Sequence, residues 1–194
     1  DMIVSNILDG TISIYLGTGN GSFGLPTLFF TGYITFPWAV KLGDFNNNNQ
    51  LDIVVGIDEN NDTFIFFIDF VAHFADKVAY TTGTGSHPYS VYVGDINGDN
   101  HSEIVVANSG NDNIVILFDY SKDTFTGRTT LSFEHSSYPE RLVVSDFDRD
   151  NILDIAAVSF GNDNLCIFHG SGSRKFDWKT TYSIEFPSWV KSIA

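Results

Sequence analysis

Carboxylates are concentrated in one nine-residue segment, residues 146–154. The acids Asp146, Asp148, Asp150 and Asp154 occupy its first, third, fifth and ninth positions. Side chains on alternate residues of a tight turn can point to one side, and an acid a few residues later can close the cage. Calcium prefers such a set of carboxylate and carbonyl oxygens. The segment therefore predicts a calcium-binding loop that leads into a strand.

Two further segments, residues 44–52 and 95–103, follow the same pattern. The ninth position of each would supply the closing acid, and the seventh would supply a backbone carbonyl. The predicted side-chain ligands are Asp44, Asn46, Asn48 and Asp52; Asp95, Asn97, Asp99 and Glu103; and Asp146, Asp148, Asp150 and Asp154. The predicted carbonyl ligands are Gln50, His101 and Ile152. Because calcium affinity rises with the charge of the ligand set, we expect the third loop to bind tightest and the first weakest.

A simpler interpretation of these segments is that Asp and Asn form hydrogen-bonded turns between strands, without any ion. Four acids within nine residues would however repel one another in the absence of a cation. We therefore favour calcium binding, most strongly for the third loop.

The three loops belong to a tandem repeat. Their first acids, Asp44, Asp95 and Asp146, are 51 residues apart, and the closing acids keep the same interval. Other residue types recur with this period, among them Pro37, Pro88 and Pro139. A fixed period of this size indicates a solenoid, a propeller or another array of supersecondary units.

The elements that would position the loops are short strands. Runs of β-branched and aromatic residues alternate with Gly, Asn and Asp, which is typical of an all-β fold, and no stretch has helical periodicity. Four predicted strands per 51-residue unit favour a β-propeller of four-stranded antiparallel blades. The predicted divisions are a partial blade, three whole blades and the start of another, at residues 1–35, 36–86, 87–137, 138–188 and 189–194.

Two arrangements of these blades remain open. The last strand could complete the first blade and close a small four-bladed ring, or the chain could be about four blades of a larger propeller. The chain begins in the middle of a repeat, which favours a piece of a longer protein. Open sheet edges in such a piece would invite pairing with another copy.

The repeat resembles a known family. The stretches Pro88 to Asp99 and Glu103 to Asn108, together with Val40 to Asn46 and Ile14 to Phe23, are similar to the FG-GAP or VCBS repeat of integrin α-subunit propellers and related surface proteins. The resemblance covers essentially the whole chain. It implies calcium in the loops, an extracellular setting, a role in adhesion or ligand binding, and seven blades as the commonest complete form.

The chain departs from that family at two points. The sixth loop position, usually Gly, is Asn49, Asn100 or Asn151. Asn is among the residues that best tolerate a left-handed backbone, so we expect the turn to persist. The Gly-Ala-Pro part of the integrin signature is absent, and only Phe23-Gly24 matches its Phe-Gly part. The resemblance is therefore to the broad repeat class.

Composition excludes other classes of function. The net charge of −14 argues against a nucleic-acid partner, which requires clustered Lys and Arg. No apolar run approaches the roughly 20 residues that span a bilayer, so we expect no direct membrane insertion. The single cysteine, Cys166, lies in an apolar strand and is predicted to be a buried, inert thiol. The histidines share no spacing typical of zinc sites.

The sequence therefore predicts a non-catalytic, calcium-binding extracellular scaffold whose partner is a protein or a glycan. No Ser, His and Asp set indicates catalysis. A glycine-rich match at residues 19–24 is followed by Leu25-Pro26 in place of a helix, so it does not predict nucleotide binding. Of three sequons, those at Asn20 and Asn61 lie in predicted turns and would carry glycans in an exported protein, whereas a glycan at the third, Asn100, would compete with the metal loop. The alternatives are a lectin-like propeller and an accessory domain of a larger secreted hydrolase.

Overall fold

The fold is all-β, as predicted. The computed structural model describes residues 1–32, 35–45, 49, 51–59, 62–68, 78–122, 124–184 and 193. Within these ranges the only helical segments are two short 3-10 turns, Ile7–Asp9 and Ser109–Asn111. No helix in the described ranges combines the length and the apolar character of a membrane span.

In the part of the chain that the structure describes, fifteen strands form four antiparallel sheets, in which neighbours in sequence are neighbours in space. The first sheet has three strands and the others have four. The strands are β1 (Met2–Asn6), β2 (Thr11–Tyr15) and β3 (Thr27–Phe30); β4 (Phe36–Gly43), β5 (Asp52–Glu59), β6 (Asp62–Ile68) and β7 (Val78–Thr84); β8 (Pro88–Gly94), β9 (Glu103–Asn108), β10 (Asn113–Ser121) and β11 (Thr124–Ser132); and β12 (Pro139–Ser145), β13 (Asp154–Ser159), β14 (Asn164–Gly172) and β15 (Lys175–Ser183).

Polar residues that flank the apolar runs also join the ladders. Each closing acid, for example, is the first residue of a strand and pairs with the last residue of the strand before it, as Glu103 does with Gly94. The sequence did not predict β3, whose four residues follow Pro26 without polar alternation. The strand expected at residues 189–194 lies almost wholly outside the described residues.

The apolar core lies between the sheets. Successive residues of a strand face opposite sides, so Ile104 and Val106 of β9 join one cluster with Val54, while Val105 and Ala107 join another with Ile155. A third cluster joins Ile12 and Ile14 of β2 to residues of β5. Each pair of neighbouring sheets therefore shares one core.

Polar contacts also join neighbouring sheets. The carboxylate of Asp112, in the turn between β9 and β10, accepts hydrogen bonds from the backbone N–H groups of Ser136 at 2.8 Å and Tyr138 at 2.9 Å. These two residues lie in the segment that leads to β12. The first strands of successive sheets, β4, β8 and β12, contact one another in order. Cys166 is buried, as predicted, with its Sγ 3.6 Å from Thr181 Oγ1.

Candidate metal centres

The three acidic loops are hairpin connections, each between the first and second strands of a four-stranded sheet. They join β4 to β5, β8 to β9 and β12 to β13. The ladders bring the two ends of each loop together, as in the pairing of Gly43 with Asp52 and of Ser145 with Asp154. The repeated hairpin therefore places the same loop positions at the same end of each sheet.

One hydrogen bond recurs in all three loops and anchors the closing acid. The backbone N–H of the second loop residue donates to a carboxylate oxygen of the ninth. The distances are 3.0 Å from Phe45 to Asp52, 2.9 Å from Ile96 to Glu103 and 2.9 Å from Phe147 to Asp154. Each closing carboxylate is thereby held against the start of its loop.

The sixth loop residue makes the second recurring contact. The backbone N–H groups of Asn49, Asn100 and Asn151 donate to Oδ2 of the first acid at 2.8, 2.8 and 2.9 Å. All three Asn residues have the left-handed backbone expected at this position, with φ of 62°, 66° and 67°. Asn thus performs the conformational role of Gly here.

The second loop brings Asp95, Asp99 and Glu103 together, with one oxygen from each within 4.8 Å of the others. Asp95 accepts N–H bonds from Gly98 at 2.7 Å and from Asp99 at 3.1 Å. The side-chain oxygen of Asn97 accepts the N–H of Asp99 at 2.9 Å. Three of the five predicted positions thus converge through their carboxylates, and Asn97 is hydrogen-bonded to the backbone of one of them.

His101, the fifth predicted position of this loop, was expected to contribute its carbonyl. Its backbone N–H donates to Asp99 Oδ1 at 2.9 Å. This bond fixes the peptide at the seventh position against the carboxylate of the fifth.

Glu103 is the unusual member of this loop because it is fully buried. Its Oε2 accepts the N–H of Ile96, but its Oε1 has no hydrogen-bond partner among the described residues. The pKa of Glu103 is raised to about 7, chiefly by burial and also by the charges of Asp99 and Asp95, while the hydrogen bond from Ile96 and the charge of Arg174 oppose the shift. A buried carboxylate with an unsatisfied oxygen beside two other acids is costly unless a cation or a proton compensates it.

The third loop contains a comparable group, formed by Asp146, Asp148 and Asp150. Asp146 accepts backbone hydrogen bonds from Arg149 at 2.6 Å, Asp150 at 3.2 Å and Asn151 at 2.9 Å. Desolvation raises the pKa of Asp146, but these bonds together outweigh it and lower the pKa. The N–H of Ile152, the predicted carbonyl ligand, donates to Asp150 Oδ1 at 2.8 Å.

Asp154 is the fifth predicted ligand of the third loop and is fully buried. Both of its oxygens accept backbone N–H bonds, at 2.9 Å from Phe147 and 2.8 Å from Gly170. In the first loop the structure describes Asp44 and Asp52, whereas the predicted ligands Asn46, Asn48 and Gln50 lie outside the described residues.

His169 is a neighbour of the third loop that sequence reasoning missed. This buried residue of β14 places its Nδ1 3.3 Å from Asp148 Oδ2 and 3.8 Å from Asp154 Oδ1. The signal was available: His169 lies 51 residues after Phe118, so an imidazole replaces an apolar ring at one position of the repeat. The spacing of the histidines relative to one another does not show this replacement, which is visible only when His169 is aligned with the other repeats.

Arg174 is a second missed neighbour, and it joins two sheets. From the turn between β14 and β15 its guanidinium donates two hydrogen bonds to Asp119 of β10, each 2.5 Å long. It also lies 3.6 Å from Asp99 Oδ2 and over the ring of Phe118. Because its fork is engaged by Asp119, Arg174 only partly offsets the charge of the second loop.

The family model of the FG-GAP-like repeat matches residues 1–55 and 95–157, ranges that include all three acidic loops. A search among curated proteins finds no match.

Proposed function

The chain belongs to the FG-GAP-like repeat family, and from this premise we propose that it is a calcium-stabilised β-propeller scaffold. In this proposal the four sheets are blades, and calcium binds the loops between the first and second strands. The scaffold acts outside the cell by holding a protein or glycan ligand and catalyses no reaction itself.

The observation that carries the calcium proposal is the environment of Glu103. A purely hydrogen-bonded turn accounts for the N–H contacts of Asp95 and Asp99, but among the described residues it leaves the buried Oε1 of Glu103 without a partner. Unsatisfied buried polar atoms are rare and costly in native proteins. A divalent cation among Asp95, Asp99 and Glu103 would satisfy this oxygen and relieve the repulsion between the acids.

The residues present fit calcium in the second and third loops. In the second loop Asp95, Asn97, Asp99 and Glu103 would hold the ion through side chains, and His101 through its carbonyl. In the third loop Asp146, Asp148, Asp150 and Asp154 would do so, with the carbonyl of Ile152. A bound ion would supply positive charge where the hairpin otherwise collects negative charge, and would thereby stiffen the connection between two strands.

The propeller form is supported by how the sheets pack. Every four-stranded sheet is an antiparallel meander, and the first strands β4, β8 and β12 contact one another in sequence. In a propeller the first strand of each blade lines the axis, and neighbouring blades share cores. The three clusters between neighbouring sheets have this arrangement.

A calcium titration of thermal unfolding tests the proposal. Calcium at about a hundred times its dissociation constant should stabilise the folded chain by about 2.7 kcal/mol per site, which corresponds to roughly 5–10 °C in Tm for a protein of this size. Glu103→Gln should lose the contribution of the second loop, and Asp148→Ala that of the third. Asp177→Asn, which alters an exposed acid of β15, is the matched control and should respond like the wild type. An unchanged Tm for the wild type would overturn the proposal.

A lectin-like function is the second candidate, and one feature favours it. Trp38 and Tyr89, equivalent residues near the starts of β4 and β8, stack with ring centroids 4.8 Å apart and an interplanar angle of 21°. Trp38 is 38% exposed, and the neighbouring Phe36 is 39% exposed. Aromatic faces at this end of the strands, away from the acidic loops, are suited to the apolar faces of sugars.

A glycan array separates the two candidates. A lectin gives saturable binding that Trp38→Ala weakens, with Leu25→Ala, at a 95% exposed residue, as the control. A protein-binding scaffold gives no saturable glycan binding with either variant.

A further inference from the structure

The imidazole of His169 lies beside two acids of the third loop, although a calcium site is built from oxygen ligands and does not require a nitrogen donor. His169 of β14 is 7% exposed, and its equivalent in the preceding repeat is the buried Phe118. The preceding repeat therefore has a buried apolar ring at this position, whereas the third loop has a nitrogen donor beside it.

The distances among the three side chains suit a shared cation. One donor atom each from Asp148, Asp154 and His169 lies within 4.8 Å of the others. His169 Nδ1 is 3.3 Å from Asp148 Oδ2 and 3.8 Å from Asp154 Oδ1. Two ligands of one tetrahedral ion with bonds of about 2.1 Å are separated by roughly 3.4 Å. The separations found here are close to that value.

The three donors are also held in place by contacts of their own. Asp154 is fixed by the N–H groups of Phe147 and Gly170. Asp148 receives the N–H of Asp150 on Oδ1, at 3.2 Å, and turns Oδ2 towards the imidazole. The other ring nitrogen, Nε2, lies 3.4 Å from Thr180 Oγ1 of β15. A hydroxyl that accepts Nε2–H would leave the lone pair of Nδ1 facing the two carboxylates, which is how outer contacts orient metal-binding histidines.

Ligand chemistry indicates which ion fits. Calcium is bound through oxygen, whereas imidazole suits Zn²⁺ and similar first-row transition metals, and Zn²⁺ accepts carboxylates together with imidazole. We propose that Asp148, Asp154 and His169 form a binding site for a transition-metal dication of the Zn²⁺ class. This site goes beyond the calcium proposal, although it shares Asp148 and Asp154 with it, so the two ions would compete at the third loop.

The test uses the full chain after removal of metal, titrated with Zn²⁺ by calorimetry and with Co²⁺ by visible absorption. The wild type should bind one Zn²⁺ that His169→Phe, the residue type of the preceding repeat, binds at least about tenfold more weakly. His135→Phe, the same change at a 98% exposed side chain, should bind as the wild type does. Equal Zn²⁺ affinity in His169→Phe and the wild type would overturn the proposal.

A direct measurement on the wild type keeps the proposal testable if His169→Phe does not fold. Nitrogen NMR of the five imidazoles should show a Zn²⁺-dependent shift of Nδ1 in one buried histidine whose Nε2 keeps its proton. A spectrum in which Zn²⁺ leaves that histidine unchanged would overturn it.

A calcium titration of Tm distinguishes the zinc site from the calcium sites of the proposed function. His169→Phe should keep the calcium-dependent rise in Tm. A wild type that responds to calcium but binds no Zn²⁺ refutes only the zinc site, and one that binds Zn²⁺ without responding to calcium refutes only the calcium proposal.

Discussion

At the scale of single residues, the acids of the loops differ in how they are satisfied. Asp146 is surrounded by backbone N–H donors that lower its pKa, whereas Glu103 is buried with one oxygen unsatisfied and a pKa of about 7. Equivalent loops can therefore contain carboxyl groups with opposite pKa shifts. The difference arises from burial and from the number of donated hydrogen bonds.

Glu103 predicts an unusual pH dependence for the calcium-free protein. Its folded-state pKa of about 7 lies above the ordinary value of 4.5, so the folded state holds its proton more tightly than the unfolded state. Protonated Glu103 therefore stabilises the folded state relative to the ionised form; this stabilisation is complete below pH 4.5 and is lost as the pH rises through 7. The loss should reach up to about 3 kcal/mol. Chemical denaturation at pH 5 and pH 8 with a chelator measures it.

Glu103→Gln is the control for this pH dependence. The amide keeps the shape of the side chain but does not titrate, so the fall in unfolding free energy between pH 5 and pH 8 should largely disappear. A variant that keeps the full fall would show that another group causes it.

Some features of single residues could be predicted from the sequence and others could not. Loop positions could be predicted because side-chain chemistry recurs every 51 residues, and the left-handed Asn residues follow from the same register. The ion pair between Asp119 and Arg174 could not be predicted, because the two residues are 55 positions apart and meet only when two sheets pack together. His169 was detectable only by asking what the other repeats have at its position.

At the scale of elements, two equivalent turns, between β9 and β10 and between β13 and β14, are packed too tightly to accept a side chain at one position. A Cβ at Gly161 would lie 1.9 Å from the backbone oxygen of Ser136, and one at Gly110 would lie 2.0 Å from that of Gly85. These two glycines are 51 residues apart, and their N–H groups donate to Ser137 and Ser86. In these two repeats the close backbone approach requires glycine, whereas the equivalent positions of the earlier repeats are Leu8 and Glu59.

Gly161→Ala should therefore destabilise the fold. The methyl group must displace a backbone carbonyl, which should lower the free energy of unfolding by about 3 kcal/mol. Urea denaturation measures the change. Gly24→Ala is the matched control, since its Cβ would meet its nearest neighbour, Leu16 O, at an ordinary 3.7 Å, and it should alter stability by less than about 0.5 kcal/mol. Equal effects of the two variants would contradict the steric argument.

At the scale of the whole molecule, stability resides between the sheets. Ile104 and Val106 face the cluster shared with the preceding sheet, and Ile155 and Ala157, their equivalents 51 residues on, face the next cluster in the same way. Arg174 and Asp112 add polar links between the second and third four-stranded sheets. Unfolding of one sheet should therefore expose the core of its neighbour.

Ile155→Ala tests this coupling. Ile155 is fully buried in the cluster shared by the last two sheets, and its truncation should cost about 2–5 kcal/mol. Hydrogen exchange should then show loss of protection in β9 and β10 as well as in β13 and β14. Loss confined to β12–β15 would contradict the shared core, and Leu25→Ala should change none of these rates.

The position of the clusters has a consequence for how such a chain can evolve. The surface that one repeat presents to the next is built from residues at fixed positions, such as 40, 91 and 142 or 53, 104 and 155. A tandem duplication of 51 codons would place a matching surface on each side of the new copy. The number of repeats can thus change by recombination, without a new core having to arise by point mutation.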